Sequence, residues 1–277
     1  MNPLSPSASR ASKALRILQS TGVSLALAVL SVLHAPVHAA TAAAQKPTIL
    51  LVHGAFAESL SWEAVIERLL ADGYPVVAAA NPLRGLTSDS AYVANLVDTI
   101  PGPVVMVGHS YGGAVISNAA LGKPRVKGLV FVAAFAPDSG EALGELGEKF
   151  PGSTLGSALA PPVKLPDGHV DLYVQQAKYR DQIAADVPER VAALLASTQR
   201  PVAADAFSDK AGSPAWKQIP SRFIYGTADK AIAPPLLEFM ARRAGSRHTV
   251  AVQGASHAVL ASHAAEVAQL IEEAAAN

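Results

Sequence analysis

The chain has 277 residues, 22 basic and 22 acidic side chains, and no cysteine. Without cysteine there is no disulfide, no thiolate metal site, no cysteine nucleophile and no lipoprotein attachment point. The balanced charge gives no reason to expect nucleic acid or an anionic membrane surface as a partner.

Residues 1–16 carry Arg10, Lys13 and Arg16 and no acid. An apolar run follows over 17–33, then the small-residue stretch Ala35-Pro36-Val37-His38-Ala39-Ala40. This order predicts a secretory signal peptide, 1–39, cleaved after Ala39. The protein is then expected to be exported, periplasmic or secreted, with no stable membrane association after cleavage. The rival reading is a membrane anchor. Gln19, Ser20, Thr21 and Ser24 interrupt the run, which is short for a bilayer span of about 20 apolar residues. Losing this leader removes three bases and no acid, leaving 19 basic and 22 acidic residues, net −3. The remaining single domain, 40–277, is long enough to bury a core without disulfides.

Thr48–Val52 is a continuous apolar run ending in His53-Gly54, the pattern of a strand buried on both faces. A helix is predicted over 61–72, from the spacing of Trp62, Val65, Ile66, Leu69 and Leu70, with Gly73 as its stop. Strands are predicted over 74–80, 103–107 and 126–133, alternating with helices over 88–100 and 113–121. Alternation then lapses over 137–215, which is rich in Pro, Gly, Ser and Ala. Helices are expected there near 169–178 and 188–197. An irregular stretch of this length is too long for an ordinary loop and predicts an inserted helical cap. Strands over 222–225 and 249–252 and helices over 235–243 and 263–275 close the chain. The expected fold class is therefore α/β: a mostly parallel sheet with helices on both faces.

The strongest chemical signal is Gly108-His109-Ser110-Tyr111-Gly112-Gly113, set between a predicted strand and a predicted helix. This is the G-x-S-x-G turn, which puts a serine on a strained backbone at the helix N-terminus. A serine hydroxyl needs a base within reach. His257, in the loop after the last strand, is the best candidate. His53 and His109 lie at the same sheet edge and compete with it. His109 is also a candidate substrate contact, and His53 more plausibly braces the loop it precedes. His169, His248 and His263 read as surface or helix-start residues. The base needs an acid to orient it. Asp229 stands where the order Ser, Asp, His requires it. Asp138, in Ala136-Pro137-Asp138, is the alternative, and either residue fits the commoner role of a turn cap. Oxyanion donors are expected at the backbone N–H groups of Ala55 and Tyr111, with Phe56 contacting substrate. Phe150, Tyr173, Tyr179 and Phe207 are candidates to line an apolar pocket in the cap, although packing is the commoner role of any one of them.

These pieces resemble the α/β-hydrolase superfamily over 47–275, and within it the small branch of plant methylesterases, hydroxynitrile lyases and bacterial esterases. The resemblance is carried by HGAF at 53–56 with Trp62, GHSYGG at 108–113, YGTADKAI at 225–232 and GASHAVL at 254–260. It implies six parallel strands, since the two antiparallel strands opening larger members have no room before Thr48. It also implies a Ser110–His257–Asp229 triad needing no metal or cofactor and acting on a small-molecule ester. Hydroxynitrile lyases of this branch carry Thr after the loop His and Lys after the catalytic His. Here those positions are Gly54 and Ala258, which favours ester hydrolysis. Related dehalogenases and epoxide hydrolases use an aspartate nucleophile; Ser110 occupies that place, so the resemblance argues against both. A lyase, a C–C hydrolase or a cofactor-free haloperoxidase on the same triad remains the alternative, with a non-catalytic ligand-binding protein behind it. Nothing in the sequence indicates an oligomeric state.

Overall fold

The computed structural model describes residues 46–276; the expected signal peptide, 1–39, lies outside them. Among the described residues no helix is long and apolar enough to cross a membrane.

Among the described residues, six parallel strands form the main sheet. They are β1 (Thr48–Val52), β2 (Val76–Ala79), β3 (Val104–His109), β4 (Val126–Val132) and, after a long insertion, two more described below. Every residue of β1 and β3 is buried, as their unbroken apolar runs require. Between these strands lie α1 (Glu63–Ala71), α2 (Leu86–Thr99) and α3 (Tyr111–Ala119). Each is shifted by about two residues or less from its expected span, because capping geometry rather than hydrophobic periodicity sets helix ends. A 3-10 turn over Ser59–Trp62 precedes α1 and takes up the start of the predicted helix.

The segment between β4 and the next sheet strand is helical only in part. It holds α4 (Leu143–Lys149), α5 (Leu155–Ala158), β5 (Val163–Lys164), β6 (Val170–Leu172), α6 (Gln176–Ile183), α7 (Glu189–Thr198) and β7 (Val202–Ala203). The last of the short strands completes a three-stranded antiparallel sheet in the order β5-β6-β7. The helix expected near 169–178 is therefore replaced by β6 and the start of α6. The alternation Val170, Leu172, Val174 has the period of a strand, and it outweighs the helical reading of the residues after it. The insertion is tied to the main domain by Ala203 N–H donating to Leu83 O at 2.9 Å and by an Arg84–Asp171 ion pair at 2.7 Å.

The chain then resumes with β8 (Ser221–Gly226), α8 (Pro234–Arg243), β9 (Thr249–Val252), α9 (Val259–Ser262) and α10 (Ala264–Ala275). The sheet order is β2-β1-β3-β4-β8-β9, parallel throughout. Helices α2 and α3 pack together, as do α1, α9 and α10, so two helical groups cover the sheet. In α10 the buried set Val267, Ala268, Leu270, Ile271 and Ala274 has the spacing of one helical face. Phe131 of β4 and Phe223 of β8 are register partners whose rings stack at 4.4 Å, a cross-strand pair that locks the two halves of the sheet. All six strands point the same way, so the loops after β1, β3, β8 and β9 emerge at one edge. That edge is where an open parallel sheet places its ligands.

Candidate active site

Ser110 stands between β3 and α3 with φ 53 and ψ −123. This left-handed backbone is costly for a residue with a Cβ, and the glycines around it show what imposes it. A Cβ on Gly108 would lie 2.5 Å from Gly112 O, and one on Gly113 2.5 Å from Phe135 O. One on Gly112 would overlap Val52 O. The turn can be this tight only with glycine at those positions. Gly54, after β1, has the same part on the other side: a Cβ there would sit 2.6 Å from Ser110 Cβ and 3.2 Å from its hydroxyl. The loop that follows β1, with Ala55 and Phe56, therefore lies directly against Ser110.

His257 and Asp229 meet at this edge. His257 Nδ1 and Asp229 Oδ2 are 2.7 Å apart, and both side chains are almost wholly buried. The other carboxylate oxygen of Asp229 accepts from the N–H groups of Ala231 and Ile232, at 2.8 and 2.9 Å. The carboxylate is thus held from both ends. Gly226, at the end of β8, allows the approach, because a Cβ there would collide with the carbonyl of Ala255. Asp138 points elsewhere: it pairs with Lys217 at 2.5 Å.

The competing histidines have other partners. His53 is fully buried; its Nδ1 lies 2.9 Å from Gly54 O, and its Nε2 accepts from Asn81 N–H at 3.1 Å. It braces the loop beside Ser110 and stays neutral, because burial pulls its pKa down to about 4. His109, a candidate substrate contact, does not line the cavity beside Ser110. Its ring packs 4.7 Å from that of His257, and its Nε2 is 3.1 Å from His257 O. Burial, with repulsion from His257, pushes its pKa well below the ordinary value. As a neutral ring it donates to that carbonyl and steadies the His257 loop. His169 pairs with Asp205, His248 with Glu273, and His263 with Ser262.

A pH dependence follows from His53. Below pH 6.5 the unfolded chain takes up a proton that the folded chain refuses until about pH 4. Stability is therefore expected to fall as pH drops through that window, by about 3 kcal/mol from this group. Urea unfolding at pH 7, 5.5 and 4 measures it, and a flat profile would contradict it.

Ser110 and His257 open onto one cavity of about 420 Å³. Its walls include Ala55, Phe56, Phe135, Leu143, Phe150 and Phe207. Of the four cap aromatics expected there, Phe150 and Phe207 line it, and Tyr173 and Tyr179 do not. Tyr179 is buried, with its hydroxyl donating to Phe56 O at 3.0 Å. Among the described residues no group of three or more His, Asp or Glu side chains is placed to hold a metal ion.

The α/β-hydrolase family profile matches residues 49–270. The chain belongs to the α/β-hydrolase family. The solved structures that share this chain's fold include the following three. Polyneuridine aldehyde esterase is 19% identical at a TM-score of 0.72, covering 83% of this chain and 99% of its own. A pyrethroid hydrolase from Sphingobium faniae JZ-2 is 21% identical at 0.66, covering 83% and 97%. A methylesterase from Arabidopsis is 18% identical at 0.67, covering 83% and 99%. A comparison with curated protein sequences gives no match. The six-stranded parallel sheet of this α/β-hydrolase is the architecture expected from its sequence.

Proposed function

We propose that this α/β-hydrolase is a serine esterase that cleaves carboxylic esters of small to medium apolar substrates. The observation that carries the reading is the 2.7 Å contact between His257 and Asp229 at the cavity onto which Ser110 also opens. Ser110 Oγ attacks the ester carbonyl carbon, and His257 Nε2 takes its proton. Asp229 holds the proton on Nδ1 and stabilises the imidazolium. The tetrahedral oxygen is held by the backbone N–H groups of Ala55 and Tyr111, each contributing on the order of 3 kcal/mol. Collapse expels the alcohol, protonated by His257. Water, deprotonated by the same ring, then releases the acid and restores Ser110.

Apolar walls supply affinity for hydrocarbon on either side of the ester. Among the described residues, Glu148, exposed at the cavity, is the one acidic side chain lining it. It disfavours substrates that carry a carboxylate. That polyneuridine aldehyde esterase, a pyrethroid hydrolase and a methylesterase share the fold adds weight to ester chemistry. The test pairs a panel of neutral p-nitrophenyl and methyl esters with labelling by a fluorophosphonate. Turnover, with the label mapped to Ser110, is the expected result. Inertness to every ester and to the probe, with cleavage of mandelonitrile instead, would overturn the reading.

A further inference from the structure

Helix α6 belongs to the insertion, yet one face of it reaches three loops of the site. Tyr179, Gln182 and Ile183 stand at positions i, i+3 and i+4, which share a face, and all three are buried. Tyr179 donates its hydroxyl to Phe56 O at 3.0 Å, in the loop after β1. Gln182 Nε2 donates to Lys230 O at 2.7 Å, in the loop that carries Asp229. Ile183 O accepts from Ala258 N–H at 2.8 Å, directly after His257. Asp186, just past the helix, accepts from the Ser256 hydroxyl, directly before it.

The bonds of Tyr179 and Gln182 fall close to backbone groups that the chemistry uses. Phe56 has φ 58, a strained conformation for a residue with a side chain, and it directly follows Ala55. Lys230 lies between Asp229 and Ala231, whose N–H binds the Asp229 carboxylate. Burial raises the Tyr179 pKa, so its phenol keeps the proton it donates.

We propose that Tyr179 and Gln182 are positioning residues, through which one turn of the insertion sets the geometry of the oxyanion and acid loops. The proposal rests on the esterase reading above. It makes the insertion a keystone for the reacting groups as well as a wall for the substrate. A hydrogen bond that fixes a donor's direction matters most where charge develops, so its loss acts on the transition state more than on the bound ester.

The test is Tyr179→Phe in the full mature chain, assayed on p-nitrophenyl butyrate. The expected result is a roughly tenfold fall in kcat with KM within about twofold. Affinity for an alkylboronic acid, which mimics the tetrahedral state, weakens by the same factor, and affinity for butanol does not change. Gln182→Met, which keeps the side chain's size, is expected to show the same division with a fall of about fivefold. It carries the test if Tyr179→Phe does not fold. Unchanged kcat in a folded variant, or a loss confined to KM, would overturn the proposal. A wild-type protein with no Ser110-dependent turnover would overturn the esterase reading itself. Turnover that depends on Ser110 and ignores both substitutions would remove only the role of α6.

Discussion

Replacing Ser110 with alanine is expected to lower kcat on p-nitrophenyl butyrate by at least about 10,000-fold while leaving the fold intact. The hydroxyl oxygen is the only heavy atom lost, and it forms the acyl bond in the proposed mechanism. What remains, an oxyanion site and an apolar cavity, orients the ester for water but supplies no covalent route. Stability serves as the internal control. Ser110 holds φ 53, a conformation that alanine adopts no more easily and glycine adopts freely. Ser110→Ala should therefore melt near the wild-type temperature. Ser110→Gly should be equally inactive and about 1 kcal/mol more stable. A thermal scan beside the assay checks both. Activity retained in Ser110→Ala would remove the proposed function, whatever the melting temperatures.

Asp229→Asn is expected to cost about 1,000- to 10,000-fold in kcat with little change in KM. Two backbone N–H groups, of Ala231 and Ile232, point at Oδ1. An asparagine amide has one acceptor oxygen, and those two donors claim it. The amide NH₂ must then face His257 Nδ1, where Asp229 Oδ2 now lies. A donor at that place forces Nδ1 to be the acceptor, and the ring proton moves to Nε2. His257 then has no lone pair with which to take the proton of Ser110. Asp138→Asn is the matched control, because that carboxylate pairs with Lys217 at the surface. Its kcat is expected to stay within twofold, and steady-state kinetics of the two variants separates the candidates. Equal losses in both, or none in Asp229→Asn, would remove Asp229 from the mechanism.

Much of this site was legible residue by residue. The glycines at 108, 112 and 113 mark the turn because local backbone crowding demands them, and local demands are written locally. Gly54 carries the same signal at longer range, since the group it makes room for is Ser110. The parts that stayed hidden depend on direction. Tyr179, aromatic and in the insertion, is as good a candidate for the cavity wall as for packing; the structure packs it, facing Phe56. The helix expected near 169–178 stops short of Tyr179, Gln182 and Ile183, so both the face they share and the loops it meets come from the tertiary structure. His109 follows the same logic. It adjoins Ser110 in the chain, and its side chain turns to the carbonyl of His257.

The sequence alone determined what short-range physics controls: buried parallel strands from continuous apolar runs, the strained serine turn from its glycines, and the ends of the strands from which each loop departs. Only the tertiary structure decided which distant groups meet. Asp138 and Asp229 both follow sheet strands, and the motif at 225–232 favours Asp229 without showing that it reaches His257. Sheet order separates them, because β8 lies beside β9 and places the Asp229 loop against the His257 loop. Strand order is set by how the whole apolar surface is buried, a global balance that no single stretch of chain contains.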